Sequence, residues 1–296
     1  MYTSCTLCPR NCQADRTSGQ TGFCGMPDKI QVARASLHMW EEPCISGTNG
    51  SGTVFFTGCN LKCVFCQNHT IAIGQKGKEI SPERLAELFL MLQDKSAHNI
   101  NLVTPSHYIP GIAKALTIAK HQGLAIPVVY NTSGYDSVGS LALLDGLIDV
   151  YLPEFKYVSS TLSRRYSHAA DYFQAATQSL AEMYRQVGDP VFEGDMIQKG
   201  IIVRHLVLPG CTEDSKAVIR YLYETYGDHI FISIMNQYTP LPHVASYPEI
   251  NRKVTEAEYD EVVDFAIDLG VEQGFIQEGD TAEESFIPEF DFTGLL

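Results

Sequence analysis

The chain has 296 residues, 45% hydrophobic and 19% charged, which marks a globular protein and excludes a disordered or fibrous one. Its 35 acidic residues outnumber 21 basic ones for a formal charge of -14, a balance that repels phosphate backbones and anionic bilayers, so neither nucleic acid nor membrane is an expected partner. No stretch approaches the roughly 18 uncharged apolar residues of a spanning helix, and the opening MYTSCTLCPRNC lacks the basic-then-apolar pattern of an export signal, so a cytoplasmic protein is expected.

Residues 1-50 are rich in Cys, Gly, Thr, Asn and Pro and show little sustained apolar periodicity, as expected of a small Cys-rich, metal-binding lobe organised by ligands more than by a core. Within it Cys5, Cys8, Cys12 and Cys24 form a C-x2-C-x3-C-x11-C series, with Gly19, Gly22 and Gly25 available for tight turns. Without export the reducing compartment disfavours disulfides. Four thiolates suffice for structural zinc or for a fully ligated iron-sulfur cluster. The C-x2-C knuckle followed by Pro-Arg favours zinc, with an auxiliary cluster as the rival. Cys44 and Cys211 stand apart and read as small buried residues.

From about residue 53 short apolar runs alternate with amphipathic stretches. TVFFTG (53-58) precedes SPERLAELFLMLQ (81-93), NINLVT (99-104) precedes a helical run over 109-123, and IPVVYN (126-131) precedes SVGSLALLDG (137-146). IDVYLPEF (148-155), IIVRHLVLPG (201-210) and FISIMNQYTP (231-240) precede helical patterns over 159-188, 214-227 and 255-270. Six such units predict an α/β fold, a partial (β/α)6 TIM-like barrel over 51-277, because parallel neighbours need a crossover that is usually helical. Ser81-Pro82 and Thr255 with Glu258 read as helix starts, and Gly123, Gly227 and Gly270 as stops. Residues 278-296 read as an acidic C-terminal tail, solvated or used for docking. In such sheets ligands gather at the carboxyl ends of the strands.

Directly after the first of these strands, residues 57-68 read TGCNLKCVFCQN and place Cys59, Cys63 and Cys66 in C-x3-C-x2-C spacing. Three thiolates hold three irons of a [4Fe-4S] cubane and leave the fourth open to an exogenous ligand, which a pure electron carrier does not need. Phe65 could shield the cluster from water. Zinc held by the three cysteines and a further residue is the alternative.

These residues resemble the radical S-adenosylmethionine (SAM) enzymes, whose motif has this spacing with an aromatic residue before the last cysteine. The resemblance implies that SAM chelates the open iron and is cleaved reductively to a 5′-deoxyadenosyl radical, with an electron donor such as flavodoxin or ferredoxin. Over 53-243 the chain is most similar to activating enzymes of glycyl radical enzymes, such as that of pyruvate formate-lyase. Gln67-Asn68 resembles their short polar sequence after the cluster, and Asn131-Thr132-Ser133-Gly134-Tyr135 their D-T-N-G-type segment. Glu154-Phe155-Lys156 resembles D-x-K, Arg204 with Val207-Leu208-Pro209-Gly210 resembles R-x-V-V-P-G, and Tyr238 to His243 resembles a P-Y-H segment. In place of the family's G-G-E-P-type segment the chain has Val103-Thr104-Pro105-Ser106-His107. The acidic contact to the cofactor's amino group is lost there, and Thr104 and Ser106 offer hydroxyls and carbonyls instead. An uncharacterised iron-sulfur branch, named by analogy with pyruvate formate-lyase activation, resembles nearly the whole chain, including CxLCPRxC, EEP-C-I-S-G, NINLVTP and RHLVLPG.

The resemblance therefore assigns Cys59, Cys63, Cys66, Lys156 and His243 to catalysis, and Phe65, Asn68, Thr104, Ser106, Asn131, Thr132, Glu154 and Arg204 to the cofactor. Physically, Glu154 could offset sulfonium charge or share a cation with Thr132, Arg204 could pair with a carboxylate, and Asn131 could accept from ribose hydroxyls. Glu154 with Lys156 also reads as a plain salt bridge, and His243 as a hydrogen-bonded loop histidine. The expected function is SAM cleavage followed by hydrogen abstraction from an unidentified substrate, a protein glycyl residue being one candidate. An iron-sulfur electron-transfer protein and a zinc-stabilised interaction module are the readings from other classes.

Overall fold

The computed structural model describes residues 1–277 and 288–295. An irregular N-terminal segment leads into β1 (Ile30–His38), the one-turn α1 (Pro43–Ser46), β2 (Ser51–Phe56), the short α2 (His69–Ala72) and β3 (Lys78–Ile80). The chain then alternates through α3 (Pro82–Asp94), β4 (Ile100–Val103), α4 (Ile109–His121), β5 (Val128–Thr132), α5 (Val138–Leu141) and β6 (Val150–Pro153). There follow α6 (Ser160–Ser167), α7 (Tyr172–Val187), β7 (Val191–Glu193), β8 (Met196–Leu206), α8 (Thr212–Tyr226), β9 (Phe231–Met235), α9 (Glu256–Leu269) and β10 (Gly274–Ile276).

The strands form one sheet in the order β10-β9-β8-β6-β5-β4-β2-β1-β3, with β7 paired to β8. From β2 to β10 along this order every neighbour is parallel. The six strands expected from the apolar runs are β2, β4, β5, β6, β8 and β9, adjacent in chain order. β3 and β10 are the edges of the order, so the sheet is an open, partial barrel. Every residue of β2, β4 and β6 is buried, as strands covered on both faces require.

The helix signals act where the residues predict. The Ser81 hydroxyl accepts from Arg84 N–H with Pro82 in the first turn, and Thr255 with Glu258 closes a reciprocal capping box. Gly270 ends α9 at φ +97°, a conformation that penalises any side chain.

Two parts of the sheet lie outside the six-unit expectation. β1, within the segment expected to be organised by ligands, runs antiparallel to β2 and β3. Its residues IQVARASLH interleave Gln31 and Arg34 with apolar positions around a bulge, so neither period stands out. β10 adds a short seventh parallel strand. Of the stretch expected to be an acidic tail, residues 278-287 lie outside the described residues. Residues 288-295 lie along β1: Phe292 N–H donates to Ala33 O at 3.1 Å, Ala35 N–H to Thr293 O at 2.9 Å, and Phe290 is buried edge-on against Phe55. No helix among the described residues is long and apolar enough to cross a membrane.

Candidate active site

The loop between β2 and α2 carries Cys59, Cys63 and Cys66, and all three line a cleft of about 210 Å³ over the carboxyl ends of the parallel strands. Gly58 turns the chain out of β2 at φ +91°, where an added Cβ would lie 2.2 Å from Met26 Cγ. Leu61 N–H points at Cys59 Sγ (3.3 Å) and the Ser167 hydroxyl at Cys63 Sγ (3.0 Å). Such donors stabilise thiolate charge. Burial pushes the Cys63 thiol up to about 11, with the Lys156 ammonium pulling it back, and burial with the neighbouring Cys59 and Cys63 raises Cys66. Deprotonation at neutral pH therefore calls for metal charge. Phe65 is buried beside the thiols, with the Lys156 ammonium 5.7 Å from its ring centroid.

The strand ends converge on the same cleft. Asn68, Thr104, Asn131, Thr132, Glu154, Lys156 and Arg204, all singled out from sequence, line it together. Lys156 is ion-paired with Glu154, its own side chain 8% exposed and that of Glu154 29%. Gly134, at φ +76°, packs against the Glu154 carbonyl, from which an added Cβ would be only 2.3 Å away. Thr104 also sits at positive φ, +59°, with its N–H donating to Asn131 O at 2.9 Å.

Ser106 and His243 fall outside the cleft lining. Ser106 is buried beneath it, its hydroxyl 3.3 Å from that of Thr132. The Thr132 hydroxyl in turn donates to Asp136 at 2.6 Å, and Tyr130 OH donates to the same carboxylate at 3.0 Å. Burial pushes the Asp136 carboxyl up while these hydroxyls pull it back. His243 stacks on His69 at 4.2 Å beside the cysteine loop, and burial with the facing His69 holds it below the usual histidine range.

Two arginines tie the N-terminal lobe to this part of the fold, Arg10 to the cysteine loop directly and Arg16 by way of His107. Arg10 donates to Asn60 O (2.8 Å), Ser167 O (3.0 Å) and His168 O. Arg16, buried, donates to Met26 O (3.0 Å), Pro27 O and His107 O (2.8 Å). His107 then donates through Nε2 to Thr57 O at 2.7 Å. Cys5 and Cys24 are buried, Cys8 is partly exposed and Cys12 exposed. Phe23 N–H points at Cys12 Sγ at 3.3 Å. Burial drives the Cys8 thiol up to about 12, with Cys24 and Cys12 adding to it, and Cys24 likewise feels Cys5 and Cys12. Among the described residues no three His, Cys, Asp or Glu side chains converge on one ion position, so a preformed single-ion cage is not part of the described structure.

One group was not singled out as site residues. The end of β1 brings His38, and the loop after it Trp40 and Glu41, into the cleft. There Glu41 and Glu42 both clasp Arg204: Nη2 donates to Glu41 at 2.5 Å, Nε to Glu42 at 2.9 Å, and Nη2 also to Glu42. All three side chains are nearly buried, at 12%, 7% and 6% exposure for Arg204, Glu41 and Glu42. The signal for this group was present in the Glu41-Glu42-Pro43 stretch.

A family model described as the Radical SAM superfamily matches residues 53–222. The chain belongs to the radical SAM superfamily. It is 29% identical over 281 residues to an uncharacterized protein of Methanocaldococcus jannaschii, covering 90% of this chain and 75% of that one. Among solved structures it resembles HydG, a maturase of the [FeFe]-hydrogenase, with TM-score 0.52, 14% identity and coverage of 79% of this chain and 54% of that one. It also resembles methylornithine synthase (TM-score 0.51, 12% identity, 74% and 60% covered) and Streptococcus suis SuiB bound to the precursor peptide SuiA (0.51, 15%, 75% and 46%). At these identities the likeness is one of fold. The chain spans about half the length of these solved structures.

Radical SAM membership brings a [4Fe-4S] cluster and SAM, and the cleft fits both on its own observations. Three cysteines on one loop would ligate three irons, two of their sulfurs already face donors, and the cleft beyond them carries polar side chains. Lys156 is the cation whose charge reaches Cys63 and Cys66. The Arg204 guanidinium is occupied by carboxylates of the chain itself.

Proposed function

We propose that this protein is a radical SAM enzyme that holds its cluster through Cys59, Cys63 and Cys66 and abstracts hydrogen from a substrate lying in the cleft that runs from these cysteines to Trp40. When bound, the cluster supplies the electron that breaks the sulfonium bond of SAM, releasing methionine and a 5′-deoxyadenosyl radical. The observation that carries the reading is the meeting of the three thiols with Asn68, Asn131, Thr132, Glu154 and Lys156 in one cleft.

In this reading Lys156 holds the SAM carboxylate, because it is the cation of the cleft lining whose charge reaches Cys63 and Cys66, and its partner Glu154 turns toward the sulfonium. Asn131 and the hydroxyl of Thr132 receive the ribose. Thr104 and its carbonyl replace the missing acidic contact to the amino group. Phe65 excludes water from the cluster, while Ser106 and Asp136 orient Thr132 from below. His243, stacked on His69, bounds the loop and serves as a positioning residue. A protein glycyl residue is the substrate suggested by resemblance to activating enzymes, and a flavodoxin or ferredoxin is the donor class. The quartet Cys5, Cys8, Cys12 and Cys24 is a second metal site, zinc or an auxiliary cluster, and the cytoplasm is the expected compartment.

Anaerobic reconstitution with iron, sulfide, dithionite and SAM is expected to yield 5′-deoxyadenosine. No product above that of Cys59→Ala sinks the proposal. Iron, sulfide and zinc content of a Cys5→Ala/Cys8→Ala variant identifies the second metal, with the cleft cluster expected to remain. Perturbation of the cluster spectrum by SAM separates this enzyme from an electron carrier, whose fully ligated iron gives none.

A further inference from the structure

We propose that Ser167 is a positioning residue for electron uptake: its hydroxyl, held on Cys63 Sγ by Tyr157 and by the N-terminal lobe, raises the reduction potential of the cluster. The proposal rests on the proposed function in taking Cys59, Cys63 and Cys66 as ligands of a [4Fe-4S] cluster.

Ser167 is the last residue of α6, 104 positions after Cys63, and is fully buried. Its hydroxyl donates to Cys63 Sγ at 3.0 Å and lies 2.9 Å from the hydroxyl of Tyr157, which is buried as well. A serine hydroxyl carries one hydrogen and two lone pairs, and a thiolate only accepts. With Cys63 ionised as a ligand the order of donors is therefore fixed: Tyr157 O–H donates to Ser167, and Ser167 O–H donates to the sulfur. A hydroxyl that is itself receiving a hydrogen bond is polarised and donates more strongly.

The backbone holds this geometry from both sides. The last carbonyls of a helix have no partner within it. At the end of α6 they are taken by the cysteine loop and the lobe: Val64 N–H donates to Tyr166 O at 2.8 Å, Arg10 Nη2 to Ser167 O at 3.0 Å, and Arg10 Nη1 to His168 O. Arg10 Nε donates to Asn60 O at 2.8 Å, so one guanidinium spans the helix end and the cysteine loop. Tyr157 is fixed in turn by its ring, which meets Tyr172 edge-on with centroids 5.5 Å apart.

Reduction adds one electron from the donor to the cluster, and no atom leaves. The added negative charge spreads onto the cysteine sulfurs, so a hydrogen bond to a sulfur stabilises the reduced state more than the oxidised one and raises the potential. The Leu61 N–H on Cys59 Sγ acts in the same sense but belongs to the backbone of the loop. The Ser167 donor is a side chain, and a substitution removes it.

The full-length protein, reconstituted anaerobically with iron and sulfide and without SAM, is titrated with dithionite through redox mediators, the reduced cluster being read by electron paramagnetic resonance. Ser167→Ala is expected to lower the midpoint potential, so that the ratio of reduced to oxidised cluster at the wild-type midpoint falls about two- to fivefold. Tyr157→Phe is expected to shift it the same way by less, and the double variant no further than Ser167→Ala. Ser163→Ala removes another buried hydroxyl of α6, one that donates to Ser160 O, and its potential is expected to match the wild type. An unmoved or raised potential in Ser167→Ala, or an equal drop in Ser163→Ala, overturns the proposal. If Ser167→Ala does not hold its cluster, Tyr157→Phe decides: a lowered potential supports the role and an unmoved one overturns it. A wild type that takes up no iron and sulfide overturns this proposal and the proposed function together. A potential that moves as expected in a protein forming no 5′-deoxyadenosine keeps the role of Ser167 and refutes only the SAM chemistry.

Discussion

The clasp of Glu41 and Glu42 on Arg204 ties the N-terminal strand to the barrel, and replacing Arg204 with Leu tests how strongly. The side chain is 12% exposed and its carboxylates 7% and 6%, so Arg204→Leu strands two acids away from water. Removing one partner of a buried pair costs about 3–5 kcal/mol, which at this chain length lowers the melting temperature by roughly 6–20 °C. The pH dependence adds a second, sharper check. In the wild type burial raises Glu42, but the charge and hydrogen bonds of Arg204 outweigh it and hold the carboxyl below its usual range. Its contribution is therefore present above the unfolded value of about 4.3 and is lost as pH falls through the lower folded one. In Arg204→Leu burial, the largest influence on Glu42, is opposed only by hydrogen bonds from its own backbone and from Ser233, so the folded value is expected above the unfolded one and acid to stabilise the variant relative to neutral pH. The deficit against wild type, read by urea unfolding, is expected to be largest near pH 8 and to narrow toward pH 5. A loss under about 1 kcal/mol, or one that does not change with pH, refutes a buried and obligatory clasp.

Gly134→Ala puts a Cβ 2.3 Å from the Glu154 carbonyl at a φ of +76°. It is expected to cost about 2–4 kcal/mol and to lower SAM affinity through the displaced Glu154–Lys156 pair, while a distant Gly146→Ala, with the same sign of φ and open space around it, loses stability alone. His107, pushed down to about 3 by burial, stays neutral in the folded state, as does His205 at about 4. Their contribution is present above the unfolded value of about 6.5 and is lost as pH falls below it, with a slope of up to about 1.4 kcal/mol per pH unit for each histidine. His107→Gln, which keeps a donor for Thr57 O, is expected to flatten the wild-type loss of stability between pH 6 and pH 4.5 (about one histidine's slope); an unchanged slope in urea unfolding refutes the assignment.

The parts of the fold legible in sequence are those whose burial is complete. β2, β4 and β6 are buried at every position, so their residues read as uninterrupted apolar runs, and the capping chemistry at Ser81 and Thr255 is local. β1 was not legible because its burial is uneven and broken by a bulge, and β3, β7 and β10 are three residues long, too short for any period. The same division runs through the site. The cysteine spacing and the strand-end residues Asn131, Thr132, Glu154 and Lys156 are set by positions near each other in sequence or at predictable ends of strands. Glu41 and Glu42 meet Arg204 only after the antiparallel β1 carries its end toward β8, a pairing at a sequence separation of 162 residues for Glu42 and Arg204.

The position of β1 also bears on why the two cysteine groups belong to one unit. Arg10 and Arg16 end on carbonyls of Asn60, Met26, Pro27, His107, Ser167 and His168, so they tie the lobe to the cysteine loop, to the turn after β4 and to the end of α6. Gly58 leaves no room for a side chain against Met26, and Thr57 O takes its donor from His107, which Arg16 holds through the peptide. A guanidinium that satisfies carbonyls on both sides of a contact works only when both sides are formed, because each carbonyl left buried and unpaired is costly. The loop bearing Cys59, Cys63 and Cys66 is thus shaped in part by the folded lobe, through Arg10 on Asn60 O directly and through Arg16 and His107 on Thr57 O.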